Sequence, residues 1–413
     1  MSPTEAERVL ALARACNDRL STTERRRPDG VEHLTSPHAG EGNSETQAWV
    51  LLADGAADAA VPGAAGPATE HALAEVLAAT HGAAPALAAE PQPAPPAEPS
   101  SEALHEARTL RFNVKMLAAT LARARLAGIA EATALPDEPC RVGLGSRICC
   151  QADMEQAWLR HWCHALGTAP RYHRKLWEDC FVPQALWEAG MLKAGRRGLG
   201  FAVGREDLPA FLVGRGIEVL ATDLDAADDR AGAWRDSGQH ANQALSLYRP
   251  RLAQPAECDR LLAFRPVDMT AIPEDLLQGR FDFIWSVCAL EHLGSLEAGE
   301  TFIRMAMRCL RRGGIAVHTT EYNLDQEGPT LATGSTVLFQ RRHLDRLAQA
   351  LAADGHAMLP MQDPPGGQHL FDQLVDVPPY PHQGGPPDAP HLRLTLGGYT
   401  TTSVGVIIQA GAA

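Results

Sequence analysis

Gly200 and Gly204 flank a short turn, Asp223 follows 23 residues after the first of them, and Asp268 and the run 286–290 come later in the same half of the chain. A glycine-bearing turn lets the backbone approach a ligand closely. A carboxylate placed one strand–helix–strand further on can accept hydrogen bonds from two ribose hydroxyls. Asp268 can accept from an exocyclic adenine amine while Met269 packs on the ring. The set suits a nucleoside cofactor: Gly200, Phe201, Ala202 and Gly204 in the turn, Asp223 with Leu224 at the ribose, Asp268 with Met269 at the base, and Val287 with Cys288 along the channel to the reacting group. His292 stands where an acceptor hydroxyl would arrive and is the first choice for a general base. Glu321 can orient that hydroxyl.

Each residue also has a plain structural reading. An Asp ending a strand is often a helix cap, the charges of ALEHL can brace a helix start, and Glu321 can be a surface acid. His292, His318, Glu321 and His343 could gather around a divalent cation, but no short ligand motif supports that, and no metal is assigned. A dinucleotide would need G-x-G-x-x-G; here Gly198 and Gly200 are followed by Val203 where the third glycine belongs.

Such residues need elements to hold them. From residue 196 onward strands are expected at 198–201, 218–222, 261–267, 281–287, 315–320, 370–375 and 403–409, with helices at 205–214, 224–245 and 296–311. That alternation predicts a layered α/β sheet with ligands beyond the carboxyl ends of its strands. Upstream, Leu104, Ala107, Leu110, Val114, Leu117 and Leu121 recur at three- and four-residue spacings and predict a helix stopped at Gly128. Another helix is expected over 153–166, and 172–192 reads as two helices parted near Pro183. Three regions follow: 1–100, a helix over 1–20 and an alanine- and proline-rich, partly disordered linker; 101–192, a helical module; and 193–413, the sheet domain. Trp158 and Trp162 read as a packing seam, whereas HRKLWE, with Trp177, suits the mouth of a pocket. The long insert before the last strand, with Tyr380, His382, His391, Arg393 and Tyr399, reads as a lid or binding surface.

The 413 residues can bury a large core. A formal net charge of -13 argues against a general nucleic-acid binder. No stretch reaches membrane-span length and the N-terminus lacks a secretory pattern, so the cytoplasm is expected. Nine cysteines without a C-x-x-C pair read as structural.

On these motifs the region 196–409 resembles a class I S-adenosylmethionine-dependent methyltransferase: GLGFAVG for the first motif, VLATDLD for the acidic second strand, VDM for the adenine position, FDFIWSVCALEHL for the fourth strand, and CLRRGGIAVHTT for the fifth. The resemblance implies a Rossmann-like seven-stranded sheet with an antiparallel last strand. It also implies S-adenosyl-L-methionine as cofactor, held by the turn at Gly200–Gly204, by Asp223 at both ribose hydroxyls, and by Asp268 at adenine. Val287 to Leu290 would border the methyl donor. Two departures stand out: Gly200 replaces the family's usual acid, and Ala202 a usual glycine. A buried ammonium needs an acceptor, and Glu206 or Glu178 could supply it. The stretch RYHRKLWEDCFVPQALWEAGML also resembles bacterial methyltransferases associated with surface-polysaccharide assembly. That implies an acceptor hydroxyl on a sugar or lipid-linked glycan, met at the membrane through partners. A small natural product and a protein are further acceptors to consider. A non-catalytic nucleoside-binding scaffold and an NAD-dependent oxidoreductase remain as alternative classes.

Overall fold

The computed structural model describes residues 100–367, 369–380 and 384–411. The helix expected over 1–20, all but the last residue of the linker, and His382 lie outside them. Helix α1 (Ser101–Ala132) leads to strand β1 (Ser146–Ile148) and to helices α2 (Gln151–Met154), α3 (Ala157–Ala165) and α4 (Arg174–Glu188). Strands β2 (Arg197–Gly200), β3 (Glu218–Asp223), β4 (Leu262–Pro266), β5 (Phe281–Val287) and β6 (Leu310–Asn323) follow. Between them lie helices α5 (Leu208–Val213), α6 (Gly232–Asp236), α7 (Pro255–Leu261) and α8 (Leu296–Ala306). The chain closes with α9 (Arg341–Ala353), β7 (Ala357–Met358), β8 (Met361–Gln362), α10 (Leu370–Gln373), β9 (Val375–Asp376), and the hairpin β10 (Arg393–Leu396) and β11 (Tyr399–Gln409).

The sheet runs β4-β3-β2-β5-β6-β11-β1-β8. Strands β4 to β6 in this order are parallel, and β11 is antiparallel to β6 over its length, with Val404 opposite Thr320. The α/β sheet and antiparallel last strand are those expected from the sequence. The order reverses between β2 and β5, so a crevice opens at their carboxyl ends. Alternation along each strand sends residues to two cores. Phe283, Trp285, Val317 and Ile407 face Trp158, Trp162, Trp177 and Phe181; Ile284, Ala316, Val406 and Ile408 face Phe302, Leu344 and Leu347 of α8 and α9. Each of the larger aliphatic and aromatic side chains contributes about 1.5–3 kcal/mol by leaving water. Helix α4 lies close on the sheet because Gly405 has no Cβ, which would sit 2.3 Å from the Phe181 ring.

The helical region is stitched into this sheet. β1 pairs antiparallel with β11 (Arg147 opposite Gly405) and parallel with β8. β7 begins beside β11, then the chain peels away at Pro360 and rejoins beyond β1.

Five expectations are corrected. Helix α1 does not stop at Gly128 but runs on to Ala132. Residues 370–375 do not form a strand: α10 turns there because the Asp372 carboxylate accepts from the backbone of Gln151 (2.9 Å) and His369 (3.2 Å), and only Val375–Asp376 pairs. Residues 224–245 are mostly turns. Asp225 and Asp228 accept from the amides of Ala227 and Arg230 (2.8 and 2.9 Å), competing locally with helix. Residues 174–188 form one helix with Pro183 inside; full burial of Phe181, Val182 and Leu186 offsets the lost hydrogen bond. The helix expected over 153–166 is broken at Glu155 and Gln156. Among the described residues no helix is long and apolar enough to cross a membrane.

Candidate functional site

A cleft of about 1440 Å³ opens at the carboxyl ends of β2 to β5. β2 ends at Gly200, where a Cβ would lie 2.4 Å from the Trp285 ring. Glycine stands there because the indole fills the space a side chain would take. Phe201 turns into the core, edge-on to Phe302 at 5.0 Å. Neither Gly200 nor Phe201 borders the cleft. Ala202 and Gly204 do, both with left-handed backbone (φ 48° and 52°). For Ala202 that conformation costs about 1–2 kcal/mol relative to glycine. Thr222 fixes the turn by donating to the Gly200 carbonyl (2.8 Å).

Asp223 and Leu224 leave β3 on the cleft wall. The Asp223 carboxylate accepts from the amides of Leu224 (2.8 Å) and Ala241 (3.1 Å), and burial pushes its pKa up against those bonds. Asp268 and Met269 border the same cleft. Asp268 accepts from Thr270 through its amide (2.8 Å) and hydroxyl (2.7 Å) and pairs with Arg230 at 2.7 Å. Partial burial raises its pKa, and Arg230 and Thr270 outweigh that and hold it below the usual carboxylate value.

Val287, Cys288 and Ala289 form the floor. Cys288 is left-handed (φ 45°), and its thiol meets Glu178 at 2.7 Å and the Lys175 ammonium. Burial pushes the thiol pKa well up, so it stays protonated. Behind it lies a buried charge cluster. Arg174 contacts Glu321 and lies 3.6 Å from Glu178; Lys175 is 3.6 Å from Glu178 and 3.7 Å from Glu321; Thr320 donates to Glu291 (2.8 Å). Donor atoms of Cys288, Glu291 and Glu321 lie within 4.8 Å of one another. Arg174 and Lys175 already supply positive charge at that point, which opposes a metal ion there.

The structure therefore sets Glu321 under the cleft, fully buried, where burial raises its pKa against the pull of Arg174 and Lys175. His292 borders the cleft. Its Nδ1 faces the Ser335 carbonyl at 2.8 Å and its ring meets Trp234 edge-on at 5.3 Å. A carbonyl only accepts, so in the neutral ring the proton sits on Nδ1 and Nε2 is the basic nitrogen. His318 and His343 are elsewhere: His318 is buried against Ser286 (2.8 Å) with its pKa lowered by burial to about 3, and His343 caps α9 through Gln340 (3.0 Å).

Of the two acids considered for an ammonium, Glu178 is sealed behind Cys288, whereas Glu206 borders the cleft. Its carboxylate accepts from the Trp285 indole N–H at 2.7 Å. One ring thus excludes a side chain at position 200 and presents a carboxylate six residues later.

Several other cleft residues escaped the sequence reading: Arg171, Arg230, Trp234, His240, Arg249 and Arg251. Most fall where a continuous helix was expected, or in loops whose partners are distant in sequence. Conversely, Trp177 of HRKLWE is fully buried, donating to Asp153 (3.0 Å); Lys175 and Leu176 of that stretch, with Asp179 just after it, are on the cleft. Tyr380, His391 and Arg393 of the insert face the body: His391 pairs with Asp376 (2.6 Å), and Arg393 donates to the Cys149 carbonyl (2.8 Å) and to Asp372 (3.0 Å). Of the described insert, Asp388 reaches the cleft.

The strand order and the crevice at its reversal are those of a Rossmann-like methyltransferase sheet. Residues 203–318 match a family model described as a methyltransferase domain. No curated protein matches the chain. Solved structures similar to it include the CurJ carbon methyltransferase (12% identity, TM-score 0.33, 58% of this chain and 54% of that one). Another is phosphoethanolamine N-methyltransferase 2 of Haemonchus contortus (16%, 0.27, 40% and 35%). A third is the 1,6-didemethyltoxoflavin-N1-methyltransferase of Burkholderia thailandensis (16%, 0.32, 56% and 77%). The chain spans 54% and 35% of the length of the first two.

Proposed function

We propose that this protein transfers a methyl group from S-adenosyl-L-methionine to a hydroxyl of a sugar, a glycan or another small molecule. The observation that carries the reading is the shared cleft: Asp223 and Asp268 border it with the left-handed turn at Ala202–Gly204, and His292 borders it too. When bound, the cofactor supplies an electrophilic methyl on a sulfonium. Asp223 would hold the ribose hydroxyls, Asp268 the adenine amine with Met269 on the ring face, and Glu206 the ammonium. Val287 and Cys288 would wall the methyl channel, with Lys175 and Arg174 held in place by Glu178 and Glu321. In this reading Glu321 is a positioning residue. His292 Nε2 would take the acceptor's proton as the new oxygen–carbon bond forms and the carbon–sulfur bond breaks, its electron pair leaving on sulfur. A cleft of about 1440 Å³ exceeds the roughly 300–1,000 Å³ of ordinary small-molecule sites. That favours an acceptor of substantial size beside the cofactor, as a glycan would be. A lipid-linked acceptor would be met through partner proteins.

The test is calorimetric titration with S-adenosylmethionine followed by labelled methyl transfer to cell extracts separated into glycans, proteins and small molecules. No binding at millimolar cofactor sinks the enzyme reading and leaves a scaffold; label confined to protein sinks the acceptor class. His292→Ala is expected to lower turnover about 100-fold, within the range for a general base, with cofactor affinity unchanged. A parallel loss of affinity would remove His292 from the acceptor side. Glu206→Gln is expected to weaken cofactor binding about tenfold, the loss of one charge-assisted hydrogen bond. Trp285→Phe, which keeps the ring but not its N–H, should reproduce part of that loss; normal affinity in both variants would assign the ammonium elsewhere.

A further inference from the structure

Three stretches of chain meet along one wall of the cleft and bring more positive charge than the carboxylates there offset. The loop 166–171 carries Arg171, the turn after β2 carries Arg205, and the turn before α7 carries Arg249 and Arg251. Their mutual contacts fix this arrangement. Arg249 donates to Asp207 at 2.7 Å and to the Arg205 carbonyl. Arg251 pairs with the same Asp207, and a Cβ at Gly167 would lie 3.6 Å from Arg251 Nε.

The four arginines have different tasks. Arg249 is structural: it also donates to the carbonyls of Ser246 (3.0 Å) and Tyr248 (3.1 Å), so four of its five N–H groups are committed. Asp207 accepts from two guanidiniums but carries one charge, which leaves Arg251, its side chain 46% exposed, incompletely neutralised. Arg205 reaches the Gly238 carbonyl at 3.5 Å, and among the described residues neither Arg205 nor Arg171 pairs with a carboxylate. The nearby acids have partners of their own. Asp388 pairs with Arg123 at 3.0 Å, Glu206 accepts from the Trp285 indole, and Asp179 follows Lys175 by one turn of α4.

A lone exposed arginine is ordinarily just solvated. Several bordering one cleft around a single shared carboxylate, in a chain of formal net charge -13, focus a positive potential that attracts an anion. The cofactor would account for one of these charges: its carboxylate would take Arg205, next to the Glu206 that holds its ammonium. Arg171 and Arg251 remain. Their excess matches a phosphoryl group, which carries about 1.5 to 2 negative charges near neutral pH and suits planar guanidinium forks. The chain also leads from this wall to the methyl channel, because Lys175, four residues after Arg171, lies on the cleft floor against Cys288.

Resting on the methyl-transfer reading, we propose that the acceptor carries a phosphate or diphosphate ester, and that Arg171 and Arg251 bind it at the mouth of the cleft. A sugar linked through diphosphate to a nucleoside or to a lipid has that chemistry. Calorimetric titration of inorganic pyrophosphate into protein saturated with S-adenosylhomocysteine is expected to show one site with Kd below about 100 µM, weakening as salt rises. Arg171→Gln and Arg251→Gln should each weaken pyrophosphate about tenfold and leave S-adenosylhomocysteine affinity within about twofold. Arg171→Lys, which keeps the charge and loses the fork, should recover part of the loss. Arg171 is exposed and pairs with no carboxylate among the described residues, so its variants keep the fold even if Arg251→Gln does not. Labelled methyl transfer to cell extracts should place the label in material that an anion exchanger retains and phosphodiesterase frees, water-soluble if nucleoside-linked and solvent-extractable if lipid-linked. Normal S-adenosylhomocysteine binding with no pyrophosphate binding at about 10 mM overturns the proposal and leaves methyl transfer standing. Pyrophosphate that S-adenosylhomocysteine displaces does the same, since the arginines would then serve the cofactor, as does label in neutral or phosphodiesterase-resistant material. Pyrophosphate binding without any S-adenosylhomocysteine binding overturns the methyl-transfer reading itself, and the acceptor assignment with it.

Discussion

Asp223→Ala is expected to weaken S-adenosylmethionine binding by about 10²- to 10⁴-fold. Two hydrogen bonds from ribose hydroxyls to a carboxylate are worth about 1.5–3 kcal/mol each, and every 1.4 kcal/mol is about tenfold. The substitution also removes the acceptor for the amides of Leu224 and Ala241, so part of the loss could come from a loosened turn. Asp223→Asn helps separate the two effects: it keeps the shape and one of the two acceptor oxygens, and should lose less stability than the alanine variant while losing most of the affinity. Calorimetric titration alongside urea unfolding checks both. Affinity within about tenfold of the parent in a folded Asp223→Ala protein would mean that Asp223 only braces its loop. The loss should also far exceed that in His292→Ala, because His292 is assigned to the acceptor and not to the cofactor.

Arg174→Met is expected to destabilise the fold by about 3–5 kcal/mol, the usual consequence of stranding buried charges. Arg174 is 1% exposed; it contacts Glu321, lies 3.6 Å from Glu178, and donates to Ser403 at 3.1 Å. Without it Lys175 alone faces Glu178, Glu291 and Glu321. Glu321→Gln should cost far less, since burial already raises the Glu321 pKa and favours its neutral form. Urea midpoints of the two variants test the ranking, and equal losses would contradict it. Turnover of the folded Glu321→Gln protein supplies the other half. A modest fall is expected from a residue that steadies Arg174 and Lys175. A collapse in turnover at full stability would return Glu321 to direct contact with the acceptor.

The parts of the fold that the sequence made plain are those governed by local pattern. β5 was expected at the residues it occupies and β3 within one residue of its end, because both are short apolar runs bounded by polar turns. The errors come from contacts with distant residues. Asp372 caps α10 by accepting from the His369 amide, and also accepts from the Gln151 amide and holds Arg393; the two distant contacts are not ones that periodicity can reveal. The site divides the same way. Ala202, Gly204, Asp223, Leu224, Asp268, Met269, Val287, Cys288 and His292 border one cleft, since strand ends carry them there whatever their partners. Gly200 and Phe201 do not, because the direction of a side chain at the turn is set by Trp285 and Phe302. Glu321 reads from sequence as an acid following a strand; that strand runs on to Asn323, and Arg174 of α4 draws the carboxylate inward.

The lodging of β1 between β11 and β8 bears on how the molecule is assembled. During synthesis β1 emerges early, and neither neighbour exists until the far end of the chain has been made. Until then its backbone amides and carbonyls have only water or a foreign edge to bond with. Ribosome-bound chains that end before residue 399 should therefore bind chaperones and resist proteases poorly across residues 140–190, and protection there should arrive in one step with the final hairpin. Those two stretches of the polypeptide, which look in the linear chain like an accessory and a tail, mature together or not at all.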